Sequence, residues 1–322
     1  MDIVQPLFNI VIFPGFAFLV AFGLFASWVD RKLVAKFQNR VGPPIFQPLA
    51  DLIKLLAKED IIPEKASRAM FTAVPLVGLA GVVCSVTYLP LWSTQALSDF
   101  PGDLIVVLYL LSLPTFALFL GGWYSTNPFA TVGATRTLTL LFGYEVPFLL
   151  AALGPAIAVG SWDISGIALY QSANGWLITW VPVSFLVALV GKLERIPFDI
   201  PEAKTEIVAG PIVEYSGRRL AMFKLTFLTE MVVASALICV LFLGGHHFWW
   251  IPYATMSPWL AWPVGFLVLS AKILLIVFFL SLTKAALCRL RVEQMVQWCL
   301  SYLGIPALLQ IAAVIIFRQV GA

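Results

Sequence analysis

Histidine is nearly missing from this chain, two residues in 322, and the two sit side by side at His246 and His247 in a polar turn after an apolar run. A haem held by a helical bundle needs axial ligands inside the membrane, so haem ligation by this chain is not expected. Cysteine is equally sparse. Cys84, Cys239, Cys288 and Cys299 show no CxxC spacing, which argues against iron-sulfur, nickel and zinc cages and leaves the thiols as packing residues. No GxxxxGK loop exists to cradle a phosphate, and no serine-centred nucleophile motif appears. Strand-like alternation is absent, and no period of 20 to 50 residues marks an internal array. Charge is scarce too, 11% of residues. The polypeptide therefore holds no recognisable redox or hydrolytic centre, and no metal site is expected on it.

Hydrocarbon is what the chain has. Apolar residues make up 61% of it, with a mean hydropathy of +0.95, far outside the range of soluble domains. Apolar runs long enough to cross about 30 Å of hydrocarbon recur near 7–29, 70–91, 103–123, 137–160, 176–193, 223–245, 260–282 and 298–317. The expected fold is an all-α polytopic membrane bundle of eight spans forming a single domain over 1–322, because helices satisfy their own backbone hydrogen bonds in lipid. The segment 1–29 reads as a retained span: it lacks a basic n-region and its apolar stretch exceeds a signal h-region.

Basic residues support the same topology. Eight spans put alternate loops on opposite sides, and cytoplasmic loops keep Lys and Arg. Arg31, Lys32, Lys36, Arg40, Lys54, Lys58, Lys65 and Arg68 lie in loop one, Arg136 in loop three, Arg195, Lys204, Arg218 and Arg219 in loop five, and Lys284, Arg289 and Arg291 in loop seven. Only Arg318 falls on the other side. Both termini are expected to face outward, and the net charge of +3 reflects topology and gives no case for nucleic acid. Within loop one, Leu49, Leu52, Ile53 and Leu56 recur at helical spacing opposite Asp51, Lys54 and Lys58, which predicts a surface-lying amphipathic helix over 45–58.

Ionisable groups at membrane depth are costly and need a reason. Glu145, Glu230 and Lys272 are the three singled out. A carboxyl as deep as Glu145 suits proton exchange; Lys224 and Glu230, six residues apart, do not share a face; Lys272, mid-span, should find a carboxylate or a water-filled cavity. The densest acid lies in loop five, ERIPFDIPEAKTEIVAGPIVEYSGRR, with Glu194, Asp199, Glu202, Glu206 and Glu214, the last four of them the candidate row. Were the segment helical, these four would fall within roughly 120° of one another. Capping explains Asp199 and Glu202 equally well, since Asp, Pro and Glu fit a helix start. It does not reach Glu206 and Glu214.

These stretches resemble the H-type membrane subunit of respiratory complex I and of the related membrane-bound energy-converting hydrogenases. Arg195, Pro197, Phe198, Asp199, Pro201, Glu202, Ala203, Glu206, Ala209, Gly210, Glu214, Tyr215 and Ser216 match the family pattern RxPFDxPEAExExVAGxxxEYS. The stretch 125–145, with Gly133, Ala134 and Arg136 followed by Tyr144 and Glu145, and loop one, through Arg31, Lys32, Gln38, Arg40, Gly42, Pro43, Gln47, Pro48, Asp51 and Lys54, are also similar. Two departures stand out. Lys204 replaces the middle acid of PEAExE, and GPPIFQP is shorter than the complex I form and closer to the hydrogenase-type relatives. The second tilts the expectation toward a hydrogenase-like or ferredoxin-driven complex over a quinone reductase, while YEVP and the intact PFDIPEA pull back toward complex I.

The resemblance implies a coupling subunit in a prokaryotic inner membrane. Hydrophilic iron-sulfur subunits, in the hydrogenase branch carrying a nickel-iron site, would dock on the cytoplasmic loops, with antiporter-like subunits as membrane neighbours and no cofactor on this chain. It further implies an ion path through Glu145, Glu202, Glu206 and Glu214, to which the reading of the residues themselves adds Asp199, Glu230 and Lys272, for H⁺ or Na⁺. In a quinone-reducing relative, Arg31, Gln38, Arg40 and Arg195 would line the headgroup approach. A secondary transporter and a passive membrane anchor are the competing classes; the first lacks the expected internal repeat, and the second leaves Glu145 and the acids of loop five without a purpose.

Overall fold

The computed structural model describes residues 4–91, 93, 95–174, 182–248, 251 and 257–320. Among them there is no strand, and seven helical stretches are long and apolar enough to cross a membrane. α1 (Val4–Val11) and α2 (Phe16–Phe37) form the first, broken at Pro14 and Gly15. α4 (Arg68–Val86), α5 (Asp103–Tyr124), α6 (Pro128–Val159), α10 (Gly217–Leu243) and α11 (Pro258–Ala286) are single helices. The last span joins α12 (Val292–Gln297), a π-helical segment (Trp298–Gly304) and α13 (Ile305–Val320). Pro306 has no N–H for the α ladder, and the wider winding just before it absorbs the missing bond. The fifth sequence span, 176–193, falls partly outside the described residues; its described remainder is α8 (Pro182–Lys192). α3 (Gln47–Ala57) lies in the first loop where the amphipathic pattern placed it. α7 (Ile164–Asn174) is a short helix the hydropathy did not suggest.

Burial ranks the spans. In α10, 89% of the apolar stretch is buried, against 28% in the last span, so α10 is the axis and the C-terminal helix is peripheral. α10 packs on α2, α4, α7 and α11, while α6 packs on α5, α8 and α13. The outer faces stay apolar, Tyr109 at 71% and Trp259 at 89% exposed, as a lipid-facing surface requires. α6 begins well before the apolar run that announced it, because Asn127 Oδ1 accepts from Phe129 N at 2.8 Å and Pro128 occupies the first helical position. Arg136 is therefore helical, and Glu145 lies near mid-helix.

Loop five does not form one helix. Only α9 (Lys204–Ile207) and a 3-10 turn at Gly210–Ile212 are regular within it. Pro201 and Pro211 deny the ladder its donors, and Val208 and Gly210 sit at φ +63° and +55°. The turn presses into the bundle: a Cβ on Gly133 of α6 would lie 2.6 Å from Gly210 Cα and 2.7 Å from Pro211 Cδ. Both neighbours are backbone or ring atoms and neither can swing aside. Gly133→Ala is expected to destabilise by about 3 kcal/mol, read as a lowered thermal midpoint of the detergent-solubilised protein; an unchanged midpoint would show that the loop is not seated on α6.

Candidate functional site

Loops one, three, five and seven converge at one end of the bundle. Arg219 pairs with Asp60 at 2.6 Å, Ile61 N donates to Ser216 Oγ at 3.0 Å, and Arg289 donates to Asp199 at 2.8 Å. Between α2, α3, α10, α11 and the start of loop five they enclose a cavity of about 740 Å³, within the usual range of small-molecule sites. Its wall is divided. Leu52, Leu55, Leu193, Ile196, Phe227 and Leu228 are apolar, while Arg31, Asp51, Glu194, Arg195, Asp199, Glu202, Lys224 and Lys284 carry charge.

A smaller cavity of about 80 Å³ continues inward and shares Leu193, Glu194, Arg195, Phe227 and Leu228 with the first. At its inner end are Thr115, Lys192 and Glu230. Lys192, at the last turn of α8, is 2% exposed, and its Nζ stands 3.4 Å from Glu230 Oε1. It also donates to the Leu111 carbonyl and lies over the rings of Tyr144 and Phe148, at 5.7 and 5.6 Å. A buried ammonium needs such a full set of partners. The Tyr144 hydroxyl shares a 2.9 Å hydrogen bond with Thr115 Oγ1, and Glu145, one residue on, keeps a buried Oε2 without a hydrogen-bond partner. Glu145 lies one residue along α6 from the ring that Lys192 covers. A polar thread thus runs from the cavity to the centre of α6 and α10.

The other acids take separate partners. Glu202 faces Lys224 at 3.6 Å on the cavity wall, Asp199 takes Arg289, Glu206 pairs with Arg136 in solvent, and Glu214 accepts from Asn127 beside the Phe71–Tyr215 stack. The one-sided row expected of a helix does not exist, since proline and glycine turn the chain between its members. Nor does Asp199 cap a helix; Ala203 occupies that position, without a side-chain cap. Burial raises the Asp199 carboxyl against the lowering effect of Arg289. Arg136 holds Glu206 below its ordinary range.

Among the described residues, Lys272 meets no carboxylate. Its Nζ donates to the Leu243, Gly245 and His247 carbonyls at 2.6, 2.7 and 2.6 Å, closing the C-terminus of α10. That is thirteen residues from Glu230, about 20 Å along the helix. Of the four residues expected around a headgroup, Arg31 and Arg195 line the cavity, whereas Gln38 and Arg40 lie exposed outside its lining.

Asp30 and Lys192 were not singled out by the sequence, and Glu194 stood out only as one acid of the polar segment of loop five. Asp30, 4% exposed on α2, receives Arg195 at 3.1 Å, Lys284 at 3.8 Å and Ser281 Oγ at 2.7 Å, and so joins α2, loop five and α11. Glu194 ends α8 in the left-handed region, φ +49°, where glycine is usual. For a residue other than glycine that conformation costs about 1–3 kcal/mol.

Fold and site together define an integral, multi-pass helical membrane protein with a charge-lined cavity opening onto a buried ion pair. The family described as NADH dehydrogenase matches residues 9–315. The H-type subunit of NADH-quinone oxidoreductase from Geobacillus thermodenitrificans is 33% identical over 305 residues, covering 90% of this chain and 89% of the relative. NADH-quinone oxidoreductase subunit 8 of Thermus thermophilus is 34% identical over 314 residues, covering 91% and 83%. A chain in the solved structure of the membrane-bound sulfane sulfur reductase, an archaeal respiratory membrane complex, superposes with a TM-score of 0.83 at 23% identity, covering 92% of this chain and 96% of that one, and so shares the fold. The chain belongs to the NADH dehydrogenase family, as an H-type membrane subunit of a complex I-like complex.

Lys192→Met is expected to cost about 3–5 kcal/mol, because it leaves Glu230 buried and unpaired; Lys192→Met with Glu230→Gln should recover most of that loss in thermal unfolding, and purely additive losses would dismiss the pair. Glu194 titrates in a definite direction. Burial first, then the charges of Glu202, Glu230 and Asp199, raise its carboxyl well above the ordinary 4.5, against Lys192. The folded state then binds this proton more tightly than the unfolded chain, so stability declines as pH rises from about 4.5 through the higher folded value. Glu194→Gln should flatten that decline, read from thermal midpoints across the same window.

Proposed function

We propose that the chain acts as a single domain, the membrane coupling subunit of a redox-driven ion pump. Electron transfer in a hydrophilic iron-sulfur arm docked on the basic loops changes charge at the large cavity, and the Lys192–Glu230 pair carries that change toward Glu145. The observation that carries the reading is the narrow polar passage from the cavity to a buried acid-base pair; a passive anchor needs none. Glu202 and Asp199 at the mouth, with Arg195 held by Asp30, set the local field, while Glu206 and Glu214 lie at the docking face. Lys272 serves as a helix cap. The basic loops face the cytoplasm, both termini face outward, and antiporter-like subunits adjoin in the bilayer of a prokaryotic inner membrane.

The cavity favours a quinone-type occupant over the hydrogenase-like reading that the short GPPIFQP loop suggested. Its volume and its mix of Arg31, Arg195 and apolar wall suit a polar head with an apolar tail. A quinone would supply two-electron, two-proton chemistry; this chain would orient the head and hold protons near it. Any iron-sulfur clusters, or a nickel-iron site, belong to partner subunits.

In vesicles containing the purified assembly, Glu145→Gln, and Glu230→Gln combined with Lys192→Met so that no buried charge is stranded, should leave the subunits together and electron transfer measurable while lowering ion uptake about tenfold or more, since the amide keeps shape and loses titration. Glu206→Gln, on a solvent-exposed pair, should change uptake less. Unaltered uptake in both deep variants would defeat the coupling reading, and the electron acceptor of the same preparation distinguishes quinone from proton reduction.

A further inference from the structure

At the end of the bundle opposite the basic loops, Asp99, Asp103 and Asp163 each present a carboxylate oxygen, all within 4.8 Å of one another. Two separate stretches supply them, the segment leading into α5 and the turn leading into α7. Backbone and side-chain bonds tie these stretches together: Leu104 N to Trp162 O at 3.2 Å, Ile164 N to Asp103 Oδ1 at 2.8 Å, and Ala96 N to Ser165 Oγ at 3.2 Å. Asp163 is fixed by donors from Ser165 N and Gly166 N at 2.9 and 3.0 Å.

Asp103 is the telling member. It is fully buried, and its second oxygen, Oδ2, has no hydrogen-bond partner. None of the three acids has a Lys or Arg within ion-pairing distance among the described residues. A buried carboxylate oxygen with neither donor nor counter-charge is a large expense for a fold to retain. A proton shared between Asp99 and Asp163 would ease their repulsion and still leave Asp103 Oδ2 alone.

We propose that Asp99, Asp103 and Asp163 form a binding site for a hard divalent cation, Ca²⁺, which staples the entry of α5 to the start of α7. The donors are all oxygen, which disfavours zinc and softer metals. The three oxygens lie close enough for one ion to reach them all, and a set drawn from one buried and two more open side chains on two stretches suits the flexible coordination of Ca²⁺ better than the near-ideal octahedron that Mg²⁺ demands. Three protein carboxylates, two of them already accepting backbone donors, imply weak binding, on the order of 10⁻⁴ to 10⁻³ M.

The intact assembly, purified in mild detergent and stripped with chelator, provides the test. Trp162 precedes Asp163 directly, so Tb³⁺ at the site should emit on tryptophan excitation, and Ca²⁺ should displace it at roughly 10⁻⁴ to 10⁻³ M, with Mg²⁺ needing tenfold more. Asp99→Asn acts on an exposed side chain, and Asp103→Asn keeps an acceptor for Ile164 N, so both variants should assemble. Each should weaken Ca²⁺ displacement tenfold or more, and the double variant should abolish the emission. Absence of Ca²⁺-displaceable emission in the unmodified assembly would overturn the site. Emission that persists in the double variant, as for an ion on lipid headgroups, would overturn it equally.

Discussion

The buried contact between Lys192 and Glu230 constrains much of the rest of the structure. At 3.4 Å the pair gains about 5 kcal/mol through an effective dielectric near 20, while removing two ions from water costs several kcal/mol for each. Attraction alone roughly breaks even. The remaining stabilisation comes from the Leu111 carbonyl and the faces of Tyr144 and Phe148, which belong to α5 and α6. α5, α6, α8 and α10 must therefore meet at one depth, and the cross-packing of these helices follows that requirement as well as hydrophobic fit.

Asp30 does on the cavity side what Lys192 does inside. It gathers Arg195 from loop five and Ser281 and Lys284 from α11 onto α2, fixing the mouth of the cavity to the bundle. Loop five can then be irregular without being loose. Its prolines and glycines cost regular hydrogen bonds but aim Asp199 and Glu202 at the cavity, Glu206 at solvent and Glu214 at α6, three directions that no single helix offers.

Much of the fold was legible in the sequence because a bilayer imposes simple rules: length for each span, basic residues for each loop, and an amphipathic period for α3. The site was legible only as a set of residue types. Glu145 and Glu230 were visible because they interrupt apolar runs. Lys192 escaped notice because it closes a span, where a lysine reads as an interfacial anchor, and Asp30 for the same reason. The acids of loop five misled because angular arithmetic assumes a helix, whereas Pro201, Gly210 and Pro211 forbid one. Lys272 misled in the opposite sense: three carbonyls at a helix end satisfy an ammonium as fully as a carboxylate would, and no local pattern distinguishes the two. Gln38 and Arg40 lie just beyond the C-terminus of α2, where sequence neighbourhood to Arg31 does not become proximity to the cavity.

Position along the passage decides which charges matter to one another. Pairs in solvent, such as Arg136 with Glu206, are screened within about 10 Å at ordinary salt and contribute little at a distance. Between buried groups in the neck, screening is much weaker. A unit charge arriving about 10 Å from a buried carboxyl, through an effective dielectric near 20, is worth about 1.7 kcal/mol, more than one pH unit of protonation bias. A charge change in the cavity is thus enough to tip a group already poised between a buried lysine and a second acid. The same change at the docking face would be lost in counter-ions. In the proposed coupling, the narrowness of the passage, a cavity of 80 Å³ behind one of 740 Å³, would give a small electrostatic event at one end a consequence at the other.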